Sequence, residues 1–190
     1  MIAAGGSGEL AGMRFHLLLR LRLAAWFILG FCAVATAAED VRPLFVEGYA
    51  GNISYAQGEE LALHVSTTAS AFAVEITRLG AQNEKVWSSA SVEGHEYPVP
   101  ENASSHGCQW PAAVKIKIPD TWRSGYYHVT LRARDGGGKY VQRNSRAADG
   151  SCFFIVRPAA PGKATKILLQ FSTHTYNAYN NWGGFSLYAF

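Results

Sequence analysis

Residues 126–134 read YYHVTLRAR and alternate between two kinds of side chain. Positions 127, 129, 131 and 133 are aromatic or aliphatic, whereas positions 128, 130, 132 and 134 are polar or charged. Successive side chains of a β-strand point to opposite faces, so this pattern predicts a strand with one buried face and one wet face. Residues 60–65, ELALHV, repeat the pattern with Leu61, Leu63 and Val65 on one face. Strands of this kind belong to antiparallel sheets.

Other segments between residues 41 and 157 share the strand pattern and are rich in β-branched and aromatic residues. Turn-forming runs such as Asp135–Gly138 separate them. The seven predicted strands are Leu44–Tyr49, Glu60–Ser66, Phe72–Leu79, Lys85–Ser89, Val114–Ile118, Tyr126–Arg134 and Ser151–Arg157. Seven short strands over about 115 residues predict a mainly β fold, an immunoglobulin-like β-sandwich over residues 38–157.

The composition is that of a globular protein, because 48% of the 190 residues are hydrophobic and only 16% are charged. The formal net charge is +3, of which +2 lies in the first 37 residues. The rest of the chain has no basic run long enough to neutralise a track of phosphates, so nucleic acid is not an expected partner.

Residues 1–37 have the order of a secretory signal peptide. Arg14, Arg20 and Arg22 precede an uncharged run, Leu23–Ala38, which ends in small residues. The alternative is an uncleaved membrane anchor, but the uncharged core of about 16 residues is shorter than the roughly 20 that a spanning helix needs. The sequence therefore predicts a secreted or periplasmic protein with no membrane association after cleavage near Ala38.

Two cysteines, Cys108 and Cys152, remain after this cleavage. Because exported domains fold in an oxidising compartment, we predict a Cys108–Cys152 disulfide. The alternative is a pair of separately buried thiols. Cys108 lies in Glu93–Pro111, an aperiodic segment that predicts a long surface loop.

The composition changes at residues 158–164, a short Pro- and Gly-containing linker. Next comes Lys166–Phe171, KILLQF, whose apolar run without alternation predicts a strand buried on both faces. We expect this strand to be the first of an α/β, Rossmann-like domain over residues 165–190. Because the chain stops at Phe190, that domain is expected to be incomplete and the chain a fragment.

A polar and aromatic segment follows this strand and includes His174, Tyr176 and Tyr179. Ligands of open α/β sheets bind beyond the carboxyl ends of strands, so this is the expected place for a site. Phenolate oxygens suit ferric iron, and imidazole suits several transition metals. The alternative is that the tyrosines pack in a core and the Asn and Gly residues form turns.

Residues 175–188, TYNAYNNWGGFSLY, resemble the first-strand motif of the N,N-dimethylformamidase large (beta) subunit, C-terminal domain family. Residues 122–127, WRSGYY, and residues 153–158, FFIVRP, resemble the entry to and exit from the sandwich of that family. Its characterised members hydrolyse the amide C–N bond of formamides with a mononuclear iron held by tyrosines and a carboxylate. The resemblance implies a sandwich followed by a Rossmann-like catalytic domain.

The resemblance also implies residue roles. Tyr179, or alternatively Tyr176, would bind the iron, which would act as a Lewis acid. Asn180 and Asn181 would lie behind the ligands or shape the loop, and Trp182 would form a wall. The carboxylate and any second tyrosine from further along the family pattern have no counterpart here.

A truncated member is therefore expected neither to bind iron tightly nor to hydrolyse amides alone, and a small amide would be the substrate of its full-length relative. The alternative function is a secreted sandwich for binding or adhesion with a vestigial tail. An exposed aromatic tail would promote self-association. Its residues are Phe171, Trp182, Phe185, Tyr188 and Phe190.

Overall fold

Two β-sheets dominate the computed structural model, which describes residues 43–134, 147–163, 166–184 and 186–188. The predicted signal peptide lies outside these residues. The described part of the chain contains no helix that could span a lipid bilayer. The strands are β1 (Val46–Ala50), β2 (Ser54–Tyr55), β3 (Glu60–Thr67), β4 (Ala71–Leu79), β5 (Glu84–Glu93), β6 (Ala112–Lys117), β7 (Gly125–Arg134) and β8 (Ala147–Val156). The helices are α1 (Ala103–His106) and α2 (Thr173–Tyr179), and a single helical turn follows at Trp182–Gly184.

The sheets are of unequal size. The three-stranded sheet has the order β1-β3-β6, and the five-stranded sheet has the order β2-β8-β7-β4-β5. All neighbouring strands run antiparallel except β2 and β8, which are parallel. The prediction of a mainly β protein is therefore confirmed.

All seven predicted strands are present, with ends that differ by a few residues. The largest differences are in β5, predicted as Lys85–Ser89, which extends to Glu93, and in β8, predicted as Ser151–Arg157, which begins at Ala147. The eighth strand, β2, has only two residues and was not predicted, because two residues are too few to show a period.

The core lies between the two sheets, and each sheet contributes its apolar face. The predicted inner face of β7 is buried, and so are Leu61, Leu63 and Val65 of β3. At one end of the core the rings of Trp122, Tyr127 and Phe154 pack against one another. The Tyr127 centroid is 5.2 Å from each of the other two, which are 6.3 Å apart. Close packing of three large rings gives this end a defined arrangement.

The prediction of a buried strand over Lys166–Phe171 is wrong. The segment belongs to neither sheet, and Ile167, Leu168 and Leu169 are 83%, 92% and 70% exposed. An apolar run becomes a strand only when a neighbouring strand takes up its backbone hydrogen bonds, and none of the eight described strands pairs with it.

The surface loop predicted over Glu93–Pro111 is also wrong in part. This segment forms α1 and then turns its apolar side chains inward, so that Cys108 and Trp110 are buried. With Ala103 they make a second, smaller core, against which Tyr49 of β1 packs.

Candidate functional site

The residues singled out by the sequence lie on α2 and on the turn that follows it. This helix has seven residues, too few to be stable alone, so it depends on packing against the rest of the protein. It ends at Tyr179. The next residue, Asn180, has an extended backbone, and its N–H donates to the carbonyl of Tyr176 at 3.0 Å. His174 is exposed on the helix.

Tyr176 faces the five-stranded sheet. Its ring meets Phe153 of β8 edge-on, with centroids 4.5 Å apart, and meets Trp182 edge-on at 5.7 Å. Burial raises the pKa of the Tyr176 phenol well above its ordinary value, because a phenolate loses hydration there. Tyr176 is therefore chiefly a packing residue.

Tyr179, three residues later, has a different environment. Its side chain is 66% exposed, and its ring stacks on Tyr188 with centroids 4.8 Å apart. The phenol of Tyr176 thus lies among aromatic rings, whereas the phenol of Tyr179 is exposed to solvent. Of the two, only Tyr179 is open to a ligand or metal from solution.

Phe171 anchors the chain just before α2. Its ring stacks on Tyr126 and Phe153, at 5.4 and 6.1 Å, which places it on the outer face of the five-stranded sheet. The predicted exposed aromatic tail is therefore wrong for Phe171 and Trp182, which are both half-buried. Tyr188 is exposed, and Phe185 and Phe190 lie outside the described residues.

The Trp182–Gly184 turn reaches the other sheet. The Trp182 ring lies against Tyr49 of β1 with centroids 5.1 Å apart, and the Gly183 N–H donates to Glu47 Oε2 at 2.8 Å. Asn181 is exposed, and its carbonyl accepts the Gly184 N–H. The segment after the linker therefore crosses from one sheet to the other.

The residues present match an iron site only in part. A catalytic metal usually takes about three protein ligands. Tyr179 offers one accessible phenol, and the described residues contain no group of three or more His, Cys, Asp or Glu side chains able to hold a metal ion. The described donor set does not by itself fit a complete mononuclear iron centre.

A family comparison gives this segment its context. Residues 73–189, more than half of the chain, match the family model described as N,N-dimethylformamidase beta subunit-like, C-terminal. The chain belongs to this family. A search of curated proteins finds no match. The family match begins within β4 and includes α2 and the Trp182–Gly184 turn, while β1, β2 and β3 lie before it.

Contacts from outside the family motif were not predicted from the sequence. Glu47, Tyr49, Val99 and Cys108 all touch the Trp182–Gly183 turn, and the first two precede the residues that match the formamidase-like family. No periodicity in the sequence identifies residues that contact a distant turn. The one available signal was the presence of Cys108 and Trp110 in the Glu93–Pro111 segment, because these residue types are often buried.

The predicted Cys108–Cys152 disulfide is not present, because both cysteines are buried free thiols. They belong to different cores: Cys152 lies on β8 in the core between the sheets, and Cys108 lies in the small core beside α1. Burial raises the pKa of Cys152 to about 12. Burial also raises the pKa of Cys108, and the nearby carboxylate of Glu47 adds to this rise.

Both thiols are therefore expected to be alkylated when the protein is denatured without a reductant. In the native state both should react slowly, because a buried neutral thiol is a poor nucleophile. Intact-mass measurement and peptide mapping after alkylation give the count. Denatured protein with neither residue alkylated would contradict the free-thiol assignment.

Proposed function

We propose that this chain supplies part of the active site of an iron-dependent hydrolase of amide C–N bonds, with Tyr179 as a ligand of the iron. The observation that supports this is the exposed phenol of Tyr179 on a helix anchored to the protein body, inside the segment that matches the formamidase-like family. A small amide is the proposed substrate, and the metal would polarise its carbonyl or activate water.

The environments of the two tyrosines support the choice of Tyr179. A phenol must lose its proton to bind iron, and burial of Tyr176 opposes that loss. Tyr179 keeps its contact with water and can approach a metal without breaking the packing of α2. Tyr176 would then hold the helix in place.

The rest of the ligand set would come from beyond the described residues. One phenol is too few for a tight site, so the chain alone is expected to bind iron weakly and to show no turnover of dimethylformamide. His174, Asn180 and Asn181 would lie around the ligand position and not at the metal.

Two finer features complete the proposal. The two-sheet body is proposed to be immunoglobulin-like, since Tyr127 near the start of β7 donates its hydroxyl to the Arg123 carbonyl at 2.6 Å, as in a tyrosine corner.

Export is proposed from the order of Arg14 to Ala37, where basic residues precede an apolar run and small residues.

Replacing Tyr179 by phenylalanine is expected to abolish iron-dependent colour. Ferric iron is titrated into the purified chain, and the visible tyrosinate-to-iron absorption band is recorded. We expect a weak band that is far from saturation, absent in Tyr179→Phe and retained in the matched control Tyr176→Phe.

Loss of the band in Tyr176→Phe alone, or no band at any iron concentration, would refute the role of Tyr179. A stoichiometric band together with amine release from dimethylformamide would refute the incompleteness of the site. Circular dichroism of each variant establishes that the fold is unchanged.

A further inference from the structure

The Trp182–Gly183 turn sits in a socket, which we define as Glu47, Tyr49, Val99 and Cys108. Two of these residues come from β1, and two come from the segment that carries α1. The socket therefore joins the three-stranded sheet and the small core to the segment with the tyrosines.

Two hydrogen bonds hold the turn in the socket. The Gly183 N–H donates to Glu47 Oε2 at 2.8 Å, and Cys108 Sγ donates to the Trp182 carbonyl at 3.2 Å. The first has a carboxylate acceptor, and hydrogen bonds to charged groups are about twice as strong as neutral ones. The raised pKa of Cys108 keeps its thiol protonated and able to donate.

The shape of the socket leaves no room for a side chain on Gly183. This residue has a φ of 71°, and a Cβ there would lie 2.7 and 2.8 Å from the methyl carbons of Val99 and 3.3 Å from Cys108 Sγ. Gly184 also has a positive φ, 83°, but a Cβ there would meet nothing within 4 Å. Both glycines thus have a positive φ, but only Gly183 is in close contact with the socket.

The turn is linked to α2 through aromatic rings. Trp182 lies between Tyr49 of the socket and Tyr176 of the helix, with centroids at 5.1 and 5.7 Å. If the turn moved, the Trp182 ring would no longer pack against Tyr176. One side of α2 would then lose its contact with the protein body, at a position three residues before Tyr179.

We propose that Glu47 and Cys108 are positioning residues: by seating the Trp182–Gly183 turn, they fix the orientation of α2 and hence of Tyr179. The seating itself does not depend on iron. Only the consequence for Tyr179 rests on the proposed function. The sandwich-side residues are thus part of the site although Glu47 precedes the residues that match the family.

The rate at which Cys108 reacts with a thiol reagent in the native protein tests the seating. We expect Gly183→Ala to accelerate this reaction about tenfold or more, because a Cβ at this position does not fit the closed socket. Glu47→Ala should also accelerate it, both by removing the acceptor of the Gly183 N–H and by removing a carboxylate that raises the pKa of Cys108. Glu47→Gln removes the same charge and is therefore the reference for Glu47→Ala. Gly184→Ala, with the same backbone strain and no clash, should leave the rate within about twofold of wild type. Glu47→Gln keeps an oxygen acceptor and should fall between Glu47→Ala and wild type.

Cys152 is an internal control, because it lies in the other core and should stay slow in every variant. A faster reaction of Cys152 in a variant would indicate that the variant unfolds. The reaction rate of Cys108 in Glu47→Gln then tests the seating, because this milder change leaves the core intact. Cys108 reactivity that is unchanged in Gly183→Ala, and no faster in Glu47→Ala than in Glu47→Gln, would overturn the seating.

The weak iron band tests positioning. Glu47→Ala should weaken it severalfold and Glu47→Gln should restore it, and an equal band in all three proteins would overturn the positioning role. If the wild-type chain gives no band, the proposed function fails. The near-ultraviolet circular dichroism of the protein, to which Trp182 and Tyr176 contribute, still reports whether Glu47→Ala alters the packing of the aromatic rings. Unaltered aromatic dichroism in that variant would refute the link from socket to helix.

Discussion

Phe154→Ala is expected to lower the free energy of unfolding by about 3–5 kcal/mol, the usual cost of deleting a buried aromatic ring. The Phe154 side chain is fully buried, stacks on Tyr127 at 5.2 Å and meets Tyr55 edge-on at 5.8 Å. These rings cannot collapse together to fill the space, so a cavity remains. Thermal melting should show a decrease in Tm of roughly 6–20 °C, at about 2–4 °C per kcal/mol.

Phe153→Ala is the matched control, because Phe153 is the preceding residue of β8 and points to the other face. Its ring is only half-buried, beneath Tyr176 and Phe171. We expect a loss of about 0.8–1.5 kcal/mol, half of the transfer free energy of a fully buried Phe side chain and without the added cost of a cavity, together with loosening of α2. Equal losses for the two variants would contradict the faces assigned to β8.

Gly150→Ala is expected to cost about 3 kcal/mol, at the upper end for inserting one methyl group into a packed interior. A Cβ at Gly150 would lie 2.3 Å from the carbonyl oxygen of Val46, where β1 passes across the start of β8. Because the obstacle is backbone, the two strands must separate. Denaturant unfolding measures the change in free energy and in the m value.

Gly80→Ala provides the comparison. Gly80 lies in the turn between β4 and β5, and the nearest atom to its Cβ would be a side-chain nitrogen of Arg78 at 3.5 Å, an ordinary contact. The change should stay within about 0.5 kcal/mol of wild type. A Gly150→Ala variant as stable as Gly80→Ala would show that β1 and β8 do not approach as closely as described.

The strands could be predicted because their information is local. In residues 126–134 the alternation alone gives the strand, its buried face and its wet face. In residues 166–171 the apolar run without alternation predicts a strand buried on both faces, which the structure lacks. What distinguishes the two is a partner strand, which no local pattern encodes.

The site could be predicted only as far as its motif. The positions of Tyr176 and Tyr179 follow from residues 175–188, but their different burial depends on Phe153 and Trp182. Gly183 and its partner Glu47 are 136 residues apart. Likewise, the argument for a disulfide used the compartment and the cysteine count, which contain nothing about the two separate cores that hold Cys108 and Cys152.

The parallel pairing of β2 with β8 has a consequence for the nascent chain. Ser54 lies opposite Ile155, so β2 has no strand to pair with until nearly the whole protein body has been synthesised. At about 5–20 residues per second, this interval lasts roughly 5–20 s. For most of this interval β3 and β4 have been synthesised, while the five-stranded sheet that buries their apolar faces is incomplete. Until residues 147–156 have been synthesised, these apolar faces therefore stay open to unwanted association.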